Sequence, residues 1–319
     1  MLFSTRAFVM TDNTTMARSR VLESTAEPGS IGAQWLRRFL QHRLAAAGLV
    51  TLALLCAGAI VGPPLAQDPE KISLCEKFQP PSISSPLGTD ELGRDQLARV
   101  LHGGRVSLTV GLLASALTLL IGTTVGALSG FYGGWLDNVL MRCTDVFLSF
   151  PSLFVLIMLS VMMRDTSLGK TQGGVPIIIL AIGLLSWMMP ARIIRATFLS
   201  LREREFVLAA RAIGASNKRL ILVHILPNTL GPIVVQGALQ TAYSIITESG
   251  LSYLGLGIQP PTPSWGNMLN SAQAYITLYP WLAIFPGLMI FITVISVNSV
   301  GDGLRDAFDP HMTRSRPDY

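Results

Sequence analysis

The stretch VSLTVGLLASALTLLIGTTVGALSG, residues 106–130, decides the fold class of this chain. Its 25 residues include no Asp, Glu, Lys or Arg. A helix needs about 17 to 25 apolar residues to cross a bilayer. Because lipid cannot satisfy free backbone N–H and C=O groups, such a segment is stable there as a helix that bonds to itself. The stretch therefore predicts a transmembrane helix.

Five further windows share this apolar, charge-free character. The chain of 319 residues is 50% hydrophobic and 13% charged, whereas about a quarter of the residues of a soluble domain are charged. The sequence therefore predicts an all-α polytopic membrane protein with six transmembrane helices. The further windows are residues 44–62, 146–163, 175–191, 229–247 and 280–301.

The positions of Lys and Arg predict the orientation of the chain, because these residues concentrate on the cytosolic side of membranes. With the N-terminus inside, 17 of the 24 Lys and Arg residues lie in inner segments. Residues 1–43 and 305–319 are then cytosolic tails. The first thirty residues lack the run of about 7 to 15 apolar residues found in a signal peptide. No basic stripe with interleaved aromatic residues accompanies the net charge of +5, so no nucleic-acid partner is predicted.

Residues 63–104 separate the first predicted helix from the other five and are rich in proline. Proline fixes φ and removes a backbone donor, so the segment is predicted to be an extended external loop. At its end, Leu97, Val100 and Leu101 share one face of a short helical pattern. This pattern fits a helix lying on the membrane surface or an ordinary solvated helical turn. Residues 105–304 are predicted to form one transmembrane domain of five helices.

Small residues and prolines predict how the helices pack. Gly122, Gly126 and Gly130 recur at intervals of four, which lets another helix approach closely. Pro151 and Pro190 lie in the third and fourth predicted spans and permit kinks there. Kinked helices occur in static bundles and in transporters alike, so the prolines favour neither.

Two further features lie at the ends of predicted spans. Asp145 stands close to Arg142 in the chain, which predicts a structural ion pair between them. Residues 250–279 contain no charged side chain and are predicted to form a loop pressed against the bilayer surface or the top of the bundle. A short helix is expected after Trp265.

The fifth predicted span carries a polar stripe, formed by Gln236, Gln240, Tyr243 and Thr247. Their spacing of i, i+4, i+7 and i+11 places them on one helix face. Polar groups at membrane depth either line a pathway or make hydrogen bonds between helices, and both interpretations stay open here. Glu248, just beyond the stripe, either faces the path or is a satisfied residue at the outer interface.

The chain offers few groups for enzyme chemistry. Its histidines are scattered, with no HExxH pattern and no GxSxG elbow. The three cysteines, Cys56, Cys75 and Cys143, have no paired spacing, so neither a disulfide nor a metal site is predicted. The LGKT sequence at residues 168–171 lacks the first glycine of a phosphate-binding loop, since Arg164 stands there. The six windows contain no ionisable Asp, Glu, Lys, Arg or His, which disfavours an ion-coupled secondary carrier.

The stretch EFVLAARAIGASNKRLILVHILPN, residues 205–228, places charged residues between two apolar windows. Phe206, Ala209, Ala210 and Ile213 follow helical spacing, and Gly214 then allows a turn. Ser216 is expected to cap a second helix that begins at Asn217. In that helix Leu220, Val223 and Leu226 share one side, and Pro227 ends it. We call residues 205–228 the bent element; it fits a docking surface for a cytosolic partner or a self-packed loop.

The bent element resembles the pattern EAA, three residues, G, nine residues, IxLP of permease subunits of ABC importers. Ala209, Ala210 and Gly214 match it, as does the sequence HILP from His224 to Pro227. The stretches GTDELGRDQLARVLHGGRVSL, GLSYLGLGIQPPTPSWGNML and GDGLRDAFDP are similar to the same branch, the C-type permease subunits of dipeptide and oligopeptide importers. One departure is Leu208, where the family often has an acid; Glu205 is a partial substitute.

This resemblance implies a type I ABC importer transmembrane domain in a bacterial cytoplasmic membrane, with both termini cytosolic. It implies that the bent element couples to an ATPase through Glu205, Ala209, Ala210, Gly214, His224, Leu226 and Pro227. The implied partners are a homologous permease subunit, two ATP-binding subunits that hold ATP and Mg²⁺, an external substrate-binding protein or lipoprotein, and membrane lipid. The chain itself is expected to bind no cofactor or metal and to catalyse no reaction.

The resemblance also implies a mechanism and a class of substrate. Closure of the ATPase dimer is expected to push the bent element, and the bundle responds by alternating access. Nickel importers share this permease architecture, so a nickel or other small-solute importer is the alternative to a peptide importer. No cluster of His or Met lines a predicted span, which favours peptides.

Overall fold

The computed structural model describes residues 39–308. Within this range there are helices and no β-strand, and Thr89 and Asp95 form an isolated bridge. The longer helices are α1 (Arg43–Leu65), α2 (Gln96–Tyr132), α3 (Gly134–Ser149), α4 (Ser152–Met163), α5 (Val175–Leu185), α6 (Met188–Arg202), α7 (Glu205–Ala212), α8 (Leu230–Tyr253), α9 (Trp265–Ala272) and α10 (Trp281–Phe308). Short helical turns cover Leu74–Glu76, Ser167–Lys170, Thr171–Gly174, Asn217–Arg219, Leu220–Ile225, Leu226–Thr229 and Gln273–Tyr275.

The helices long and apolar enough to cross a membrane confirm the prediction of a polytopic helical membrane protein. Among residues 39–308 there are five of them, or six if a bent pair counts as one span. The bent pair is α3 and α4, which meet at 81°. Pro151 is the N-cap of α4, where its missing N–H removes no helix hydrogen bond. The third predicted span is thus a broken helix with its break at the predicted proline.

The fourth predicted window, residues 175–191, also crosses a break. Helix α5 ends at Leu185 and α6 begins at Met188. Pro190 lies in the first turn of α6, where a proline fits without a kink. The break therefore falls before Pro190, and α6 forms a separate amphipathic helix rather than the end of an apolar span.

Helix α2 is the centre of the bundle and packs against α6, α8, α5 and α1. Helices α2 and α6 approach closely along the predicted glycine ridge. A Cβ atom added to Gly122 would lie 2.9 Å from Pro190 Cβ, and one added to Gly130 would lie 2.7 Å from Phe198 Cβ. The ridge therefore seats α6 directly on α2, as its spacing of four predicts.

Residues 66–95 form the irregular segment between α1 and α2. This segment is shorter than the predicted loop of residues 63–104, because Pro63 and Pro64 continue α1 for its last turn. A proline there removes hydrogen bonds only where the helix is about to end. The Phe78 ring stacks on the Tyr279 ring at 4.2 Å between centroids, so the segment is tied to the start of α10.

The short helical pattern around residues 97–101 does not form a separate helix. It is the first part of α2, and Val100 is buried. The Trp265 side chain donates from Nε1 to the Val100 carbonyl at 3.0 Å. Both sequence interpretations, a surface helix and a solvated turn, are wrong because α9 covers this part of α2. The helix expected after Trp265 is confirmed as α9, which begins with a capping box between Ser264 and Asn267.

The ion pair of Asp145 differs from the prediction. Arg192 Nη2 donates to Asp145 Oδ1 at 2.5 Å. Proximity in the chain suggested Arg142, but α3 and α6 pack side by side and bring a more distant arginine into reach. The pair is exposed, so its contribution to stability is small.

Candidate functional site

The bent element lies at one end of the bundle, beyond the last turn of α6. Its first helix, α7, has Glu205 in its first turn and Arg211 in its last. Both charges favour the helix, since an acid suits the N-terminus and a base the C-terminus. The helix ends in a Schellman motif. Ala215 N–H donates to the Ala210 carbonyl at 3.0 Å, and Gly214 N–H donates to the Arg211 carbonyl at 3.0 Å.

Gly214 makes the bend possible through its backbone alone. Its φ is +89°, in the region that favours glycine. A Cβ atom added there would meet nothing within 4 Å among residues 39–308. The glycine is therefore needed for the turn, and the space around it stays open for another molecule.

The second part of the bent element contains a π-helix, Leu220–Ile225, after the single turn Asn217–Arg219. In a π-helix the period lengthens from i+4 to i+5, so Leu220 and Ile225 face inward and both are fully buried. The predicted face of Leu220, Val223 and Leu226 is wrong in its middle member, because Val223 is exposed. Ser216 occupies the N-cap position, but its side chain makes no capping hydrogen bond.

Apolar side chains cover the outer surface of the bent element. Phe206 is 42% exposed, Leu208 45% and Ile213 87%. We call these three residues the apolar end face. Phe206 and Ile213, seven residues apart, share one side of α7, and Leu208 lies on the other flank of its buried face. Exposed large apolar side chains outside the lipid-facing spans are typical of an interaction site. The backbone at Gly214 adjoins this face.

The other predicted coupling residues occupy different positions around the same element. Glu205, Ala209, Gly214 and Pro227 are exposed, His224 and Leu226 are half-buried, and Ala210 is buried. The His224 carbonyl accepts a hydrogen bond from Asn228 Nδ2 at 2.6 Å, so His224 contributes to the turn through its backbone. The structure thus brings all seven residues into one compact bent unit, with Ala210 facing the bundle.

A hydrophobic cluster anchors the bent element to the bundle. Val207 and Ala210 of α7 join the two buried residues of the π-helix. Helices α2 and α6 complete it, through Ala127, Phe131, Ile194 and Phe198. Because Val207, Leu220, Ile225 and Phe198 are fully buried, movement of the bent element cannot leave α6 and α2 in place without opening this cluster.

A charged network lies beside this cluster, where α2, α3 and α6 meet. Arg195 donates from Nε and Nη2 to the two carboxylate oxygens of Asp137, at 2.5 and 2.6 Å. Ser129 Oγ donates to the same carboxylate. The hydrogen bonds to Asp137 raise the pKa of the Arg195 guanidinium above its ordinary value. Arg202 Nη1 also donates to the Phe131 carbonyl at 3.1 Å. Arg195 thus ties α6 to α3, and Arg202 ties it to the end of α2.

The polar stripe of α8 is divided between the interior and the surface. Gln240 is 8% exposed, and its Nε2 makes no hydrogen bond within residues 39–308. Ser244, one turn on, has a buried hydroxyl that likewise lacks a partner in the described part of the chain. Gln236 and Thr247 are half-buried, and Tyr243 is exposed. Unsatisfied buried polar groups are rare, so a water, a ligand or a partner chain can supply hydrogen bonds at this turn of α8.

Glu248 is fully buried, and three serine hydroxyls surround its carboxyl group. Ser252 Oγ donates to Oε1 at 2.7 Å, and Ser107 Oγ to Oε2 at 3.1 Å. Ser249 Oγ lies 3.4 Å from Oε2. Of the two interpretations left open by the sequence, the satisfied residue is the one observed, and the carboxyl group ties α8 to α2.

The model of the family described as "Binding-protein-dependent transport system inner membrane component" matches residues 122–314. This match covers the packed glycine ridge, the bent element and α8. The chain belongs to this family. A second model, "N-terminal TM domain of oligopeptide transport permease C", matches residues 30–81 of the permease.

Relatives of the permease extend the match over most of its length. It is 42% identical over 288 residues to a peptide permease protein of Brucella suis, covering 89% of this chain and 93% of that one. It is 40% identical over 278 residues to the oligopeptide transport system permease protein OppC of Bacillus subtilis, covering 87% and 88%. The corresponding OppC of Mycobacterium tuberculosis is 39% identical over 276 residues, covering 86% and 93%.

A solved structure shows the same fold. The MetNI methionine ABC transporter, in an inward-facing conformation, has a chain that matches the permease with a TM-score of 0.55 at 17% identity. The match covers 66% of this chain and 96% of that one. The predicted transmembrane domain of an ABC transporter is therefore confirmed as the fold of the permease.

Three parts of the site escaped the sequence reasoning: the anchoring role of Val207, the π-helix, and the network of Asp137 and Arg195. The sequence predicted a face of α7 through Phe206, Ala209 and Ala210. The buried face contains Val207 and Ala210 instead, so it is rotated around the helix from the predicted one. The charged network could have been predicted from Arg195 and Arg202, which are spaced i, i+7 and therefore share one face of α6. Two arginines on a common face next to a glycine ridge indicate acceptors on the neighbouring helix.

Proposed function

We propose that the protein is a permease subunit of an ATP-driven importer that moves oligopeptides or dipeptides across the bacterial cytoplasmic membrane by alternating access. The observation that carries this proposal is the apolar end face, exposed on an element whose buried side is locked to α2 and α6. The names of the relatives, peptide permease and oligopeptide permease, favour a peptide over nickel.

The coupling step follows from the geometry of the bent element. We infer that an ATP-binding subunit receives the apolar end face, together with Ala209 and the backbone at Gly214. ATP and Mg²⁺ are held by that subunit, and the permease catalyses no reaction. This arrangement requires the bent element on the cytosolic side, which agrees with cytosolic termini and with the inner bias of Lys and Arg.

Further partners complete the transporter. A homologous permease subunit is proposed to form a heterodimer with this chain, and a second ATP-binding subunit serves that partner. An external substrate-binding protein or lipoprotein delivers the peptide to the opposite end of the bundle. The family description, an inner membrane component of a binding-protein-dependent system, supports this assembly.

The polar stripe of α8 is proposed to face the translocation path. Tyr243 is exposed, while Gln240 and Ser244 each have a polar atom without a partner among residues 39–308. Peptide amides can satisfy such groups in passing, since a backbone offers both donors and acceptors. Gln236 and Thr247 extend the same face toward the two ends of the helix.

The test of the coupling proposal is Ile213→Asp in the full transporter reconstituted in liposomes. A carboxylate at the centre of an apolar contact loses its water without gaining a partner, so peptide-stimulated ATP hydrolysis and tripeptide uptake should both fall about tenfold or more. Ile213→Leu is the matched control, because it keeps the apolar surface. Unchanged uptake by Ile213→Asp, or uptake by the single chain driven by an ion gradient, would contradict the proposal.

A further inference from the structure

A crevice of about 250 Å³ opens on the side of the bundle between α1 and α2, with α8 and α10 as its floor. It lies away from the bent element and from the polar stripe. Its walls are made almost entirely of apolar groups, from Cys56, Ala59, Leu108, Leu112, Ile245 and Val297. A space of this size between membrane helices is larger than side-chain packing normally leaves.

The hydroxyl groups that line the crevice are already satisfied. Thr109 Oγ1 donates to the Arg105 carbonyl at 2.6 Å, and Thr241 Oγ1 donates to the Gly237 carbonyl at 2.8 Å. Among the described residues, no buried polar atom without a partner lines the crevice. Water needs two or more polar partners to occupy a cavity, and apolar cavities stay dry or take up apolar ligands. The crevice therefore fits a hydrocarbon chain.

Arg105 stands at one end of the crevice, directly before the charge-free run of residues 106–130. Its side chain is exposed and forms no ion pair within residues 39–308. Leu112, another lining residue, lies seven residues further along α2, which is about 10 Å at 1.5 Å per residue. An unpaired guanidinium thus stands at the membrane boundary, above two helical turns of apolar wall.

We propose that this crevice binds one membrane phospholipid, with an acyl chain between α1 and α2 and the phosphate on Arg105. A guanidinium binds a phosphate through two parallel hydrogen bonds, and a long arginine side chain reaches the headgroup level from the edge of the hydrocarbon. The charge of Arg105 selects a phosphate-bearing lipid over a neutral one. The bound chain fills the crevice on the side of the bundle where α1 and α2 diverge.

The experiment uses the alkylation of Cys56, because this thiol lines the crevice while Cys75 and Cys143 are exposed and report on general access. The full-length chain is purified with the subunits that accompany it, delipidated in a neutral detergent, and titrated with dioleoylphosphatidylglycerol. The rate of N-ethylmaleimide addition at each cysteine is followed by mass spectrometry. The lipid should slow addition at Cys56 at least fivefold and leave Cys75 and Cys143 unchanged.

Variants and a second lipid test the two halves of the proposal. Arg105→Gln should require about tenfold more phosphatidylglycerol than the wild type for the same protection of Cys56, as expected for lost charged hydrogen bonds. Arg105→Lys keeps the positive charge and should require less phosphatidylglycerol than Arg105→Gln. Arg142→Gln, an exposed arginine on another helix, is the control and should behave as the wild type. Dioleoylglycerol, which has the same chains but no phosphate, should protect Cys56 weakly and equally in the wild type and Arg105→Gln.

Several results would overturn the proposal. Equal protection by dioleoylglycerol and phosphatidylglycerol in the wild type would remove the role of the phosphate. Slow alkylation of Cys56 in the delipidated complex, unaffected by added lipid, would show that a protein segment fills the crevice. Rapid alkylation at every lipid concentration would show that no chain enters it.

Discussion

At the residue scale, Gly214 controls the shape of the bent element. The Schellman motif at the end of α7 needs one residue with positive φ, and the φ of +89° at Gly214 meets this need. The space around Gly214 is open as far as the described residues are concerned, so side-chain clashes with them play no part. A side chain at this position acts on the backbone first and on any docked partner second, and these two effects can be separated.

Gly214→Ala should loosen the bent element without disturbing the bundle. A non-glycine residue in the left-handed region costs about 1–2 kcal/mol, while Asn tolerates it better. Local opening should then rise about 5- to 30-fold, which is measured by hydrogen exchange of the amides of residues 205–228. Gly214→Asn is the matched control and should show a smaller rise.

The two variants also separate conformation from docking. The asparagine side chain adds volume at the open position yet keeps the turn. If Gly214→Asn loses coupled uptake while its amide hydrogen-exchange rates stay normal, the side chain clashes with the docked partner. Exchange rates in Gly214→Ala equal to those of the wild type would contradict the backbone argument.

At the element scale, the contact of α6 with α2 joins the site to the bundle. Glycines of α2 lie against α6 on one side, and the hydrophobic cluster under the bent element joins the same two helices at their ends. Helix α6 is therefore the element through which displacement of the bent element reaches α2. Its separation from α5 at the break after Leu185 allows it to move as a short rigid helix.

Gly126→Leu should break this contact. A Cβ atom at residue 126 would lie 2.5 Å from the Ala191 carbonyl oxygen and 2.9 Å from Ile194 Cβ, so α6 has to move away. Overpacking of this kind costs about 1–3 kcal/mol, and the midpoint of thermal unfolding of the purified protein should fall by several degrees. Gly250→Leu is the control, since a Cβ there would meet nothing within 4 Å in the part of the chain that the structure describes. Equal midpoints for the two variants would contradict the close approach.

The sequence predicted the positions of the helices better than it predicted the breaks within them or the contacts between them. Charge-free windows located the spans because lipid excludes charge over a fixed length. The close packing of another helix on the glycine ridge was predicted correctly, because the spacing of the glycines depends on one helix alone. The π-helix was not predicted because its residues also fit an α-helical pattern. The extra residue in its turn is decided by the burial of Leu220 and Ile225 against α6 and α2. The partner of Asp145 escaped because it depends on which helices are neighbours.

At the scale of the whole molecule, a polar connection complements the apolar one. The carboxylate of Asp137 joins Ser129 of α2 and Arg195 of α6, while Asp137 itself belongs to α3. Three helices thus meet at one anion close to the end that carries the bent element. The connection is specific in geometry, because both nitrogens of the guanidinium edge are engaged.

Asp137→Asn and Arg195→Gln should each destabilise the protein, and their effects should not add. Each single change leaves one charged or polar partner without its hydrogen bonds, and close pairs show coupling energies of about 0.5–3 kcal/mol. The double variant should therefore lose less stability than the two single variants together. Thermal unfolding of all four proteins in the same detergent measures this coupling, and strictly additive losses would show that the pair is not a unit. Arg192→Gln, in the exposed pair with Asp145, is the control with little expected effect.

The stack of Phe78 on Tyr279 sets an order of events during synthesis. The two rings are separated by about 200 residues of chain, and Gln96 Nε2 donates across a similar distance to the Leu282 carbonyl. A ribosome adding about 5–20 residues per second needs roughly 10 to 40 seconds to supply that length. Residues 66–95 can form their own hydrogen bonds, such as Thr89 N–H to the Gln79 carbonyl, before then. Their contact with the start of α10 must wait for this time beside a membrane that already holds α1. The proline-rich segment can thus make its local contacts early, whereas its attachment to α10 is completed late.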